Sequence, residues 1–306
     1  MRIGIHTSIA GSLEKAALKA AELGANTLQI FSSSPRMWRP STPGRQDVNA
    51  LRKARERLDL RPLAIHVNYL INLASLDPVV REKSINSFRG ELERAEAIGA
   101  EYLVTHPGSY RGQSLEESIA AIALGLAEAA DGRSPDVTVL LENTAGCGAQ
   151  VGCQFEELRT IRELAARETD LKIGYCLDTC HLLAAGFDVA TQAGLNKTAA
   201  DAERVLGLEN VRVIHANDSK TPLGSHVDRH ENIGEGFIGS DGFRRILTHA
   251  ELRSKAFILE TPCDTDGDDR RNVDALKRLY RVQVKSAPAR TAKAGRRSGA
   301  SKVLAS

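Results

Sequence analysis

Eight short aliphatic or β-branched runs recur along the chain, each followed by a stretch with helical spacing, and this alternation limits the fold more than any other feature. The runs are RIGIHTS (2–8), TLQIFSS (27–33), LAIHVNY (63–69), EYLVTHPG (101–108), VTVLLENT (137–144), KIGYCLDT (172–179), VRVIHAND (211–218) and AFILETP (256–262). Between them lie amphipathic segments such as SLEKAALKAAELG (12–24) and SLEESIAAIALGLAEAA (114–130), with apolar residues at helical intervals. Several stop at glycine, as at Gly24 and Gly99, the usual left-handed terminator. Alternating strands and helices imply a parallel sheet. Eight units with no internal boundary suit a single-domain (β/α)8 TIM barrel over residues 1–284. Periodicity alone leaves a doubly wound open sheet as the structural alternative.

Composition narrows the class. The 306 residues are 42% hydrophobic and 26% charged, ordinary for a globular chain. No apolar run approaches the roughly 18–20 residues of a membrane span, and no signal peptide precedes the first strand. The five cysteines therefore read as reduced thiols of a cytoplasmic protein. The net charge of +2 is uneven: residues 285–306 carry six Lys/Arg and no acid, leaving 35 basic against 39 acidic residues in the body. That tail reads as a solvated, disordered terminus, and the overall balance neither requires nor excludes nucleic acid.

The ionisable residues at the strand ends are more specific. His66, His106, Glu142, Asp178, His215 and Glu260 close strands three to eight, at intervals of 40, 36, 36, 37 and 45 residues, about one β/α unit each. In a barrel these six side chains surround one mouth, at the carboxyl ends where barrel active sites lie. His181 follows strand six. Asp228 and His230 form a D-x-H pair in the long loop GSHVDRHENIGEG after strand seven. Any one of the nine has a bland explanation: a lone histidine is usually a hydrogen-bonded core residue, and Asp178 or Glu260 could cap a helix. Together they are different, because unneutralised carboxylates repel in a partly dry cavity. Imidazole plus carboxylate suits zinc, and also manganese or iron. A catalytic zinc takes about three protein ligands, so nine donors with a bridging carboxylate indicate three ions. Three dications against four carboxylates leave a formal +2, suited to an anion such as a phosphodiester.

The segment CLDTCH (176–181) raises a competing possibility, a structural zinc knuckle. Strand parity turns Cys176 inward, two residues deeper than Asp178, as a small apolar filler. Cys180 lies between two proposed ligands, where the loop can aim it elsewhere. Cys147 and Cys153 are too loosely spaced to complete a four-cysteine site.

HVNYLINLAS (66–75), THPGSY (105–110), LENTAGCG (141–148), CLDTCHLLAAGFD (176–188), HANDSK (215–220), GSHVDRHENIGEGFIG (224–239) and LETP (259–262) resemble the endonuclease IV family (apurinic/apyrimidinic endonuclease family 2), in the family's order and over nearly the whole chain before the basic tail. The resemblance implies a barrel with three Zn2+ ions that cuts double-stranded DNA 5′ to abasic sites, leaving a 3′-hydroxyl and a 5′-deoxyribose phosphate. It implies one zinc on His66, His106 and Glu142; a second on Glu142, Asp178, His215 and Glu260; a third on His181, Asp228 and His230. It also implies catalytic roles for Glu142 and Glu260, and insertion of Arg36, Tyr69 and Leu70 into the duplex, where an apolar wedge plus a cation can open a kinked step. Read without the resemblance, Tyr69 and Leu70 are ordinary barrel-cap packing. Cys147 departs from the polar residue expected in its segment. A monomer is expected. The rival is a metal-dependent barrel sugar isomerase or epimerase, which needs neither five histidines nor three metals.

Overall fold

The computed structural model describes residues 1–34, 37–38 and 42–286; Arg36, Arg39 and residues 287–306 of the basic tail lie outside the described residues. Eight parallel strands close into a barrel: β1 (Arg2–His6), β2 (Thr27–Phe31), β3 (Leu63–His66), β4 (Tyr102–Thr105), β5 (Thr138–Glu142), β6 (Ile173–Asp178), β7 (Val211–His215) and β8 (Ala256–Leu259). Each strand pairs with its sequence neighbours and β8 closes on β1, with Arg2 opposite Ala256. The open-sheet alternative is thereby removed. The helices are α1 (Leu13–Glu22), α2 (Arg45–Leu58), α3 (Pro78–Ile98), α4 (Leu115–Ala130), α5 (Phe155–Ala165), α6 (Thr179–Ala185), α7 (Gln192–Leu206), α8 (Gly239–Thr248) and α9 (Asp268–Ser286). Among the described residues no helix is long and apolar enough to cross a membrane.

Local chemistry sets the helix ends. Ser12 accepts from the Lys15 amide, Asp77 precedes Pro78 at the start of α3, and Ser114 with Glu117 forms a reciprocal capping box. Gly99 ends α3 in the left-handed conformation, as its sequence predicts. Two other helices instead end on left-handed aspartates, Asp59 and Asp131. A short polar side chain tolerates that conformation better than most, so the glycine rule misses such stops.

The strands are shorter than their sequence runs. β4 ends at Thr105 and β8 at Leu259, so His106 and Glu260 stand one residue beyond them. VRVIHAND is likewise not one strand: β7 stops at His215, and Asp218–Ser219 pairs antiparallel with His230–Glu231 in a separate ribbon. That ribbon ties back the long loop carrying Asp228.

Two distinct cores follow from strand alternation. Outward side chains pack with the helices in one large cluster. Inside the barrel, Ala64, Val104, Leu140, Cys176, Val213 and Ile258 form a second, dry cluster. Each lies two residues before one of His66, His106, Glu142, Asp178, His215 and Glu260. The apolar set is thus the floor on which the six polar residues stand.

Candidate metal centre

All nine sequence-predicted donors meet at the carboxyl mouth. His66, His106 and Glu142 offer donor atoms within 4.8 Å of one another, as do Glu142, Asp178, His215 and Glu260, and Asp178, His181 and His230. Asp228 joins the last group, with its oxygens 3.2 Å from His181 Nε2 and 3.4 Å from His230 Nε2. Glu142 belongs to two groups: Oε2 lies 3.2 Å from His66 Nε2, and Oε1 2.8 Å from His215 Nδ1.

The imidazoles are held for metal binding rather than for one another. His66, His181 and His230 each donate from Nδ1 to a main-chain carbonyl, of Val67, Asn143 and Glu260, over 2.8, 2.9 and 3.0 Å. Each thereby turns Nε2 to the centre, the usual arrangement behind a metal-bound histidine. Nε2 of His181 and of His230 are buried and have no hydrogen-bond partner among the described residues. A buried ring nitrogen without a well-directed partner is costly, and a cation held jointly with the nearby Asp228 carboxylate would complete it. The residues present fit a cluster of zinc-like ions.

Electrostatics agree. Burial opposes charge on Glu142, but His215 and His106 outweigh it and hold the carboxyl well below the usual range. Burial likewise opposes charge on His215 and His66, yet neighbouring acids raise both. The carboxylates demand cations, and without metal the imidazoles must supply them.

Asp178 does cap α6, its Oδ1 accepting the His181 amide over 2.8 Å. The bland and the metal roles coexist in one side chain, because capping fixes its orientation. Cys176 packs in the floor as its parity predicts, and burial pushes its thiol up to about 12. Cys180 differs from expectation. It lies on a helix rather than a loop, and its sulfur remains within 4.8 Å of donor atoms of Asp228 and His230. Burial pushes that thiol up to about 12 as well. Cys147 accepts the Asp228 amide at 3.3 Å, touching the site through the loop.

Several functional neighbours carry no motif. Asn143 and Asn217 both hold Asp178, the first receiving its amide over 2.7 Å and the second donating to Oδ2 over 2.6 Å. The fully buried Asp218 carboxylate gathers amides of Ser219, Gly234, Gly236, Ile238 and Gly239, fixing both ends of the Asp228 loop. At Gly236 a Cβ would collide with the Ser219 carbonyl and that carboxylate, so glycine is required. His6 and Gln29 bring two further polar groups against Glu260. On the rim, Tyr69 is 68% exposed and its ring stands 5.8 Å from the His66 ring, with Phe31 at 5.4 Å. Leu70 is half-buried beside it.

Comparison with known proteins places this geometry in a family. Residues 17–282 match the AP endonuclease 2 family model, described as a xylose isomerase-like TIM barrel. A probable endonuclease 4 of Solibacter usitatus is 67% identical over 280 residues, 91% of this chain and 97% of its own length. The chain belongs to the endonuclease IV family. A second relative, a probable endonuclease 4 of Halothermothrix orenii, is 41% identical across 86% of this chain and 94% of its own. Endonuclease IV from Thermus thermophilus superposes with a TM-score of 0.81 at 38% identity, covering 92% of this chain and all of that one. A D-tagatose 3-epimerase-like protein shares the fold alone, at 21% identity and a TM-score of 0.67. Endonuclease IV proteins are nucleases, and the chain is an enzyme of that kind.

Proposed function

We propose that this chain is an apurinic/apyrimidinic endonuclease of base excision repair. It hydrolyses the phosphodiester 5′ to an abasic site in double-stranded DNA, leaving a 3′-hydroxyl and a 5′-deoxyribose phosphate. The observation that carries the proposal is the convergence of nine imidazole and carboxylate donors in three overlapping groups, with three imidazoles pinned from behind. The endonuclease names of its relatives support the same conclusion.

Three zinc ions fit these donors: one on His66, His106 and Glu142; one on Glu142, Asp178, His215 and Glu260; one on His181, Asp228 and His230. Zinc bound there would bring a water's pKa to roughly 7 and neutralise a phosphodiester's charge. The chain's own residues do the rest. Glu142, fully buried, fixes the spacing of two donor groups. Glu260 turns Oε2 toward the same centre, 3.2 Å from His215 Nδ1, where it can orient the attacking water. Tyr69 and Leu70, with Arg36, enter the duplex and occupy the space a missing base leaves. Specificity then comes from the ease of bending such a site and flipping its sugar. Because all nine donors come from one chain, a monomer suffices.

The test is incision of a duplex with one synthetic abasic analogue, paired with metal analysis. Three ions per chain and a single cut 5′ to the analogue are expected. One or two ions, with turnover of a keto sugar instead, would move the chain to the isomerases that share its barrel.

A further inference from the structure

We infer that Gln29 is a positioning residue for the second metal, its one amide setting both the tautomer of His215 and the rotamer of Glu260. The inference rests on the metal reading above. Gln29 is fully buried on β2, on the strand level of the donors, opposite His6 in the β1–β2 pairing. Its Nε2 lies 2.5 Å from Glu260 Oε1 and 3.1 Å from His6 Nδ1, and its Oε1 lies 2.8 Å from His215 Nε2.

The chemistry of these groups leaves one consistent assignment. A carboxylate only accepts, so the amide nitrogen must face Glu260. The amide oxygen then faces His215 and can only accept from it. His215 therefore keeps a hydrogen on Nε2, and a metal would take Nδ1, 2.8 Å from Glu142 Oε1, in place of the hydrogen that faces this carboxylate without metal. The second amide hydrogen goes to His6 Nδ1. Turning the amide over would set oxygen against the Glu260 carboxylate and hydrogens against His215 Nε2. The imidazole hydrogen would then move to Nδ1, the atom a metal needs.

His215 is also the exception among these imidazoles. His66, His181 and His230 present Nε2 and lean on main-chain carbonyls. His215 presents Nδ1, so its far edge points across the barrel interior, where strand carbonyls are already consumed by the sheet. Only a side chain can supply the acceptor there, and Gln29 does. With the same amide it holds Glu260 Oε1, leaving Oε2 for the centre.

The test uses the full, zinc-loaded chain and two readouts besides activity. Zinc retained per chain is measured against graded concentrations of a chelator for the wild type and Gln29→Leu. Histidine ring 15N spectra report which nitrogen of His215 carries hydrogen. In Gln29→Leu one ion of the three should be lost with about 10–100-fold weaker affinity, as outer-partner removal typically costs. The wild-type spectrum should show His215 bound through Nδ1 with hydrogen on Nε2. Superimposable chelator curves, or a wild type bound through His215 Nε2, would overturn the inference. Gln29→Met, of similar length, is judged on the same readouts if the leucine variant does not fold, and the wild-type spectrum decides independently of either. A wild type that holds three ions in this arrangement yet leaves abasic DNA uncut would sink the functional reading and spare this one.

Discussion

Glu142 Oε2 stands 3.2 Å from His66 Nε2, both side chains sealed from solvent on a dry barrel floor. Neither can find water if the other is removed. His66→Ala or Glu142→Ala should therefore lower abasic incision by more than about 100-fold, the loss that even an outer partner's removal can reach. Circular dichroism should remain that of the barrel, whose packing lies below these residues. Normal turnover in either variant would eliminate the proposed centre.

Tyr69 leans on the His66 ring while most of its surface is open. Tyr69→Ala should weaken binding to abasic duplex by about 1–3 kcal/mol, the scale of aromatic stacking against nucleic acid, with little change on undamaged DNA. Equal losses on both, measured by fluorescence anisotropy, would return Tyr69 to simple cap packing.

Asp218 holds five main-chain amides from both ends of the Asp228 loop. Asp218→Ala would strand buried donors, at a cost of at least about 3 kcal/mol. A lower melting temperature should accompany loss of the ion at His181, Asp228 and His230 before the other two. An unchanged melt with full zinc content would refute the anchoring role.

Metal loading should release protons. Burial would keep His181 neutral, but Asp178 and Asp228 outweigh it and push the imidazole up to about 10. A folded value above the ordinary 6.5 means that the imidazolium stabilises the metal-free fold in full below pH 6.5. That contribution is lost as pH rises through about 10. A dication at Nε2 must expel the proton within this window. Calorimetric titration in buffers of different ionisation enthalpy checks it: heats that ignore the buffer would contradict the shift.

The barrel and the nine donors are legible because each β/α unit delivers one polar residue to the same rim, at nearly constant spacing from His66 to Glu260. The resemblance to endonuclease IV groups them. His6 and Gln29 hold the equivalent positions on β1 and β2, and a spacing that starts at His66 misses both. One step of 37 residues back from His66 reaches Gln29, but the first β/α unit is short and His6 lies only 23 residues before it. Asn143, Asn217 and Asp218 are different. Asn143 and Asp218 act on main-chain groups, and Asn217 joins the Glu260 amide to the Asp178 carboxylate, pairings that carry no spacing signature. Cys180 is misread because six residues of CLDTCH do not reveal that a helix begins at Thr179, directly after β6.

The apolar floor of Ala64, Val104, Leu140, Cys176, Val213 and Ile258 makes the barrel a cup with one opening. Water, ions and sugar-phosphate must all come and go through the same rim. A DNA duplex lying across that rim would act as a stopper, so stripping of the ions should slow while substrate is bound and resume once the nicked strand departs.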